Sequence, residues 1–198
     1  MVKIKYLFAA LLLVLMACSN GNATEEPTPS DSDQPVTVGR KPLIVYFSWG
    51  GNTRAVAEII GNITGGDMVE LELVEPYSTV YSELTARADE EVRNDVCPTL
   101  TTRIENLDDY DTLIIGTPIW SDHAVPAVKS FLGSYDFSGK KIASFCTHAG
   151  SGTAKSVDDV RELCPDSEIL QPLAIYGNRA ENSHNDVEAW LRAIDIIE

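Results

Sequence analysis

The sequence predicts an α/β domain built on a doubly wound parallel sheet, and three observations carry that prediction. Short continuous apolar runs, Leu43 to Phe47, Leu113 to Ile115 and Ile142 to Cys146, suit strands covered on both faces. Between them lie stripes of apolar residues at spacings of three and four, the signature of half-buried helices. Strand and helix alternate five times along the chain. That order calls for right-handed crossovers with helices on both sides of the sheet.

Leu43-Ile44-Val45-Tyr46-Phe47 is the first strand, and Ala55, Val56, Ile59, Ile60 and Ile63 stripe the helix after it. Met68 to Val74 alternates apolar with charged residues, so one face is partly wet and the strand belongs at an edge. A helix from Thr79 to about Asn94 follows, with Val80, Tyr81, Leu84, Ala88 and Val92 as its buried face. The Leu113 run is the third strand and precedes the stripe Val125, Val128, Phe131 and Leu132. The Ile142 run is the fourth and precedes Ala154, Val157 and Val160. Ile169 to Ile175 contains Pro172, which cannot donate to a ladder, so it forms the opposite edge. Val187, Trp190, Leu191, Ile194 and Ile197 mark the last helix.

The simplest arrangement is a five-stranded parallel sheet in the order 2-1-3-4-5, whose winding reverses between the first and third strands. Ligands in such sheets bind beyond the carboxyl ends of the strands at that reversal. Three loops meet there: 48–53, 117–126 and 147–153.

This domain spans residues 40–198. Residues 1–17 carry Lys3 and Lys5, then the apolar stretch Leu7 to Met16, as an export leader does. Leu15-Met16-Ala17-Cys18 resembles a bacterial lipobox, with Cys18 as the lipidated first residue of the mature chain. A plain signal peptide with a chance cysteine is the alternative. Residues 18–39 are polar and Pro-containing, a flexible tether. The expected location is therefore outside the cytoplasm, on a membrane surface reached only through lipid on Cys18. No apolar run after residue 17 approaches the roughly 20 residues of a spanning helix.

Composition excludes further classes. The 198 residues carry a formal net charge of −15 with no basic cluster to offset it, so nucleic acid is not a partner. Cys97, Cys146 and Cys164 form no CxxC pair, so neither a zinc site nor a redox motif is expected, and no metal is assigned. One disulfide is possible in an oxidising compartment, with its pair left open.

Ser48-Trp49-Gly50-Gly51-Asn52-Thr53 lies directly after a strand and before a helix. Small residues let the backbone approach an oxyanion, peptide N–H groups converge, and the Ser48 and Thr53 hydroxyls add donors at a positive helix end. The loop is a phosphate cradle without a lysine, and neither GxxxxGK[ST] nor GxGxxG is present. As a pattern alone it equally suits a Gly-rich turn capping a helix. Its place in the fold favours the anion site.

Ser-x-x-Gly-Asn-Thr after the first strand, Gly116-Thr117-Pro118-Ile119-Trp120 after the third and Thr147-His148-Ala149-Gly150-Ser151-Gly152 after the fourth together resemble the flavodoxins. The likeness runs from about Lys41 to the C-terminus. It implies non-covalent FMN, with Ser48, Gly51, Asn52 and Thr53 on the ribityl phosphate. It further implies that Thr117, Pro118, Ile119 and Trp120 flank the isoalloxazine ring and that His148 to Gly152 close its other edge. Trp120 can stack on the ring, with a core or helix-packing tryptophan as the alternative, and backbone groups of Pro118, Ile119, His148 and Gly150 can meet its polar edge. Trp49 covers the pocket rim or the ribityl chain, or simply packs on the surface. Arg54, the only base beside the cradle, is expected to face solvent, with contact to the phosphate as the alternative. The acidic surface fits an FMN site, because negative charge around a flavin lowers its reduction potential.

Two departures matter. Gly50 stands where the family carries a second hydroxyl, and the 148–152 loop has no Tyr or Trp to cover the outer face of the ring. An open face admits a substrate, which points to a reductase for quinones or nitro compounds as readily as to a carrier serving a redox partner. His148 then either donates a proton or merely hydrogen-bonds its own loop. The rival reading is a flavin-free flavodoxin-like binding module at the cell surface, supported by a leader without twin arginines, which exports unfolded chain. A hydrolase is disfavoured, since Ser48 lacks a GxSxG elbow and Ser151 has no identifiable partner.

Overall fold

Leu43–Tyr46 forms β1, buried along its whole length, in a computed structural model that describes residues 40–198. Leu43 and Val45 point into one apolar cluster and Ile44 and Tyr46 into the other, so the strand is a divider between two cores. Asp67–Glu70 (β2) and Thr112–Trp120 (β3) pair with it in parallel on either side, Leu43 standing opposite Asp67 and Leu113. Lys141–His148 (β5) pairs in parallel with β3 from Thr112↔Lys141 to Pro118↔Thr147. Glu168–Ile169 (β6) and Leu173–Tyr176 (β7) both pair with β5, as two halves of one edge. The path β2-β1-β3-β5-β6 matches the expected order, with the fifth strand broken around Pro172.

The remaining element, His123–Ala124 (β4), was not expected. The chain from Thr117 continues as strand to Trp120, turns through Ser121 and Asp122, and returns antiparallel as β4, with Trp120 opposite His123. Ser121 and Asp122 both have left-handed φ, 47° and 67°, as a two-residue type I′ turn requires. The stretch 117–126 is thus a hairpin rather than an irregular loop. A second difference is β2, which ends at Glu70: Leu73 pairs antiparallel with Leu100 instead of extending the strand to Val74.

Asn52–Thr64 (α1) and His184–Ala193 (α5) cover one face with Val56, Ile60, Val187 and Leu191. Pro126–Leu132 (α3) and Ser156–Leu163 (α4) cover the other with Val128, Phe131, Leu132 and Val160, joined by Leu84 of Tyr81–Arg93 (α2). Tyr81, expected on the buried stripe of α2, is instead 69% exposed at the first residue of that helix.

The three described cysteines are free thiols, Cys97 exposed and Cys146 and Cys164 buried. No disulfide forms among the described residues, and residues 1–39, with the leader, Cys18 and the tether, lie outside them. Burial pushes the Cys146 thiol up to about 12 and Cys164 to about 11. Below about pH 9 folded and unfolded chains both hold these protons and the contribution to stability is complete. Above it the unfolded chain releases protons that the folded chain keeps, so stability falls as pH rises toward the folded values. Urea midpoints between about pH 8 and about pH 11 are expected to decline, and less steeply in Cys146→Ala. A slope unchanged by the substitution would contradict the assignment.

Candidate functional site

The carboxyl ends of β1, β3 and β5 lie side by side, so the segments leaving them share one rim. Ser48 to Gly51 leads into α1, with Gly51 in a left-handed conformation at φ 91°. Ala55 N–H bonds the Gly51 carbonyl, and Arg54 N–H donates to Ser48 Oγ at 3.2 Å. The five preceding N–H groups, Trp49, Gly50, Gly51, Asn52 and Thr53, have no protein acceptor among the described residues. A Cβ added to Gly50 or Gly51 would meet nothing within 4 Å, so this backbone borders open space. N–H groups without a protein acceptor at the start of a 13-residue helix are the donor set that an anion site requires.

Thr53 and Thr147 link the first loop to β5 by a buried bond of 2.8 Å between their hydroxyls. Asn52 lies against Gly177, where an added Cβ would stand 2.8 Å from Asn52 Nδ2. Arg54 projects outward and is held by Glu70 through Nε at 2.9 Å and Nη2 at 2.6 Å, so its charge is turned from the cradle. Trp49 is 39% exposed, donates from Nε1 to the Ser78 carbonyl at 3.0 Å and rests against the Tyr81 ring.

Of the second segment, Thr117 is buried and receives the Val125 N–H at 2.9 Å, while Pro118 pairs with Thr147 across the β3–β5 ladder. Ile119 and Trp120 are half-buried. The Trp120 ring meets Phe47 and Tyr77 edge-on, with centroids 5.7 and 5.0 Å away. With Tyr81, Leu84, Ala88 and Ile119 it lines a cavity of about 250 Å³. In the third segment, His148 Nδ1 accepts the Gly150 N–H at 2.9 Å, which leaves the neutral ring's proton on Nε2. Gly150 and Gly152 take positive φ, 142° and 64°, and the Gly152 carbonyl lies 3.5 Å from Cys146 Sγ.

Several supporting residues carried no signal in the sequence. Tyr176, at the end of β7, packs edge-on to His148 at 5.2 Å and donates to the Ala149 carbonyl at 2.7 Å. The 148–152 loop has no Tyr or Trp of its own, and Tyr176 of the neighbouring strand packs against it. Glu91 is buried and accepts from the Tyr77 hydroxyl at 2.6 Å and from Arg87 Nε at 2.7 Å, while the Arg87 guanidinium lies over the Tyr77 ring. Burial beside this carboxylate holds the Tyr77 phenol well above its ordinary pKa. The network fixes the segment whose Ser78 carbonyl anchors Trp49. Asp159, also buried, binds His123 at 2.9 Å and the Ala124 N–H at 2.8 Å, tying the hairpin to α4.

The sequence profile of the flavodoxins matches residues 41–194. The chain belongs to the flavodoxin family. A candidate flavoprotein from Bacteroides eggerthii is similar at 26% identity and TM-score 0.70, covering 80% of this chain and 99% of that one. Another, from Bacteroides uniformis, shows 25% identity and TM-score 0.69 over 78% of this chain and 99% of that one. A Lactobacillus acidophilus flavoprotein solved in complex with FMN has 23% identity and TM-score 0.61, covering 77% and 99%. No curated protein matches the sequence. FMN is the cofactor of the family, and this flavodoxin's residues fit its phosphate: N–H groups without a protein acceptor lie at a helix N-terminus, and the backbone at Gly50 and Gly51 borders open space.

Proposed function

We propose that this flavodoxin binds FMN across the rim of β1, β3 and β5 and works as an oxidoreductase or electron-transfer protein outside the cytoplasm, held to a membrane by lipid on Cys18. Its electrons pass to a redox partner or to small acceptors of the quinone or nitro class. The observation that carries the reading is the run of five free N–H groups, bridged to β5 through Thr53 and Thr147. Bound FMN supplies reversible one- or two-electron chemistry.

The protein's own residues do the rest. The cradle N–H groups neutralise a phosphate with dipoles alone, so the site keeps the negative field of an acidic chain. Trp49 shields the rim, and its tie to Ser78 holds it there. Trp120, fixed by Phe47 and Tyr77, supplies an immobile apolar wall that excludes water. His148 presents Nε2–H as a donor, since its Nδ1 is occupied by the Gly150 N–H. The half-buried cavity beside Trp120 has the size of a one- or two-ring acceptor.

Titrating FMN with the full chain tests this. Flavin fluorescence is expected to quench at micromolar protein, and the reduced complex is expected to be reoxidised by a quinone. Absence of quenching would overturn the reading in favour of a flavin-free binding module.

A further inference from the structure

We infer that Thr147 is a positioning residue that directs the Thr53 hydroxyl toward the phosphate of the flavin, an inference that rests on the proposed FMN reading. Two hydroxyls bring two protons, and their single mutual bond uses one. Neither oxygen makes a further hydrogen bond among the described residues, and both side chains are buried, at 2% and 5% exposure. One O–H is therefore left without a protein acceptor inside the fold. Buried donors are rarely left so, because an unmet one is costly.

The position of the pair decides which proton is spare. Thr53 stands in the first turn of α1, beside N–H groups that also lack acceptors, so an anion in the cradle is the acceptor within its reach. Thr147 sits in β5, paired with Pro118 on one side and Ile175 on the other, and its backbone cannot follow a ligand. Thr147 thus donates to Thr53, and Thr53 donates to the phosphate. β-branching restricts the χ1 choices of Thr147, and its paired strand holds the backbone that carries the hydroxyl. A hydroxyl that already accepts a hydrogen bond is also a stronger donor.

The test compares FMN with riboflavin, which lacks the phosphate, by fluorescence titration of the full chain. Thr147→Val is expected to weaken FMN about fivefold to tenfold and leave riboflavin unchanged, with Thr147→Ser restoring the wild-type ratio. Thr147→Ala gives the same ratio should valine disturb the strand. In a Thr53→Val background, Thr147→Val is expected to add no further loss, because it acts through Thr53. Equal weakening of both flavins, or additive losses in the double variant, would mean a general structural role and overturn the inference. Wild type that binds FMN with Thr147→Val unaltered overturns this inference alone. Wild type that takes no FMN overturns both it and the flavin reading.

Discussion

Alanine at Gly116 is expected to cost the domain about 3 kcal/mol, seen as a lower urea midpoint with an unchanged slope. Gly116 lies in the centre of β3, between Tyr46 of β1 and Phe145 of β5. A Cβ there would stand 2.7 Å from both the Tyr46 Cβ and the Phe145 Cε1. The Tyr46 Cβ cannot retreat without moving its strand, and the Phe145 ring, 1% exposed, has no free space behind it. The strain falls on the sheet that carries all three site segments, so FMN binding weakens with stability. Gly50→Ala serves as the control, because a Cβ there meets nothing within 4 Å. A loss at Gly116 below about 1 kcal/mol would mean that neighbouring strands can spread, against the close packing described above.

Aspartate at Gly50 is expected to abolish tight flavin binding, by about 100-fold or more, while leaving the fold intact. The backbone at Gly50 has no positive φ and faces open space, so the new side chain is accommodated without strain. Its carboxylate competes for the cradle N–H groups and repels the phosphate. Two such charges about 4 Å apart near a protein surface repel by about 4 kcal/mol. Gly50→Thr has the opposite sign: a hydroxyl returns at a position where the family carries one, and FMN tightens about fivefold. Titrations at two salt concentrations separate the effects, since screening relieves the aspartate penalty and leaves the threonine gain. An aspartate variant that binds FMN normally would place the phosphate elsewhere.

The layer order was legible because it depends on local patterning. Leu43 to Tyr46 reads as apolar throughout, and the structure divides those residues alternately between two cores, as a central strand must. The Pro172 break identified the edge, where β6 and β7 now replace a continuous strand. The 117–126 hairpin was not legible, because its turn uses Ser121 and Asp122 at left-handed φ rather than the Gly or Asn that announce such turns. The spacing of Tyr81 from Leu84 and Ala88 fits the helix period, whereas its place at the first residue of α2 leaves it 69% exposed beside the exposed Trp49 ring rather than in the core.

The winding of the chain and the rim where its loops gather follow from the sequence alone, since hydrophobic period and glycine placement act over a few residues. Only the tertiary structure decided the pairing of Thr53 with Thr147, the burial of Glu91 under Tyr77 and Arg87, the tie from Asp159 to His123 and the approach of Tyr176 to His148. Thr53 and Thr147 are 94 positions apart, and their meeting depends on the parallel register of β1, β3 and β5. Such contacts have no local signature: a hydroxyl or carboxylate reads the same in solvent and in a core, and its partner is chosen by the packing of whole strands and helices.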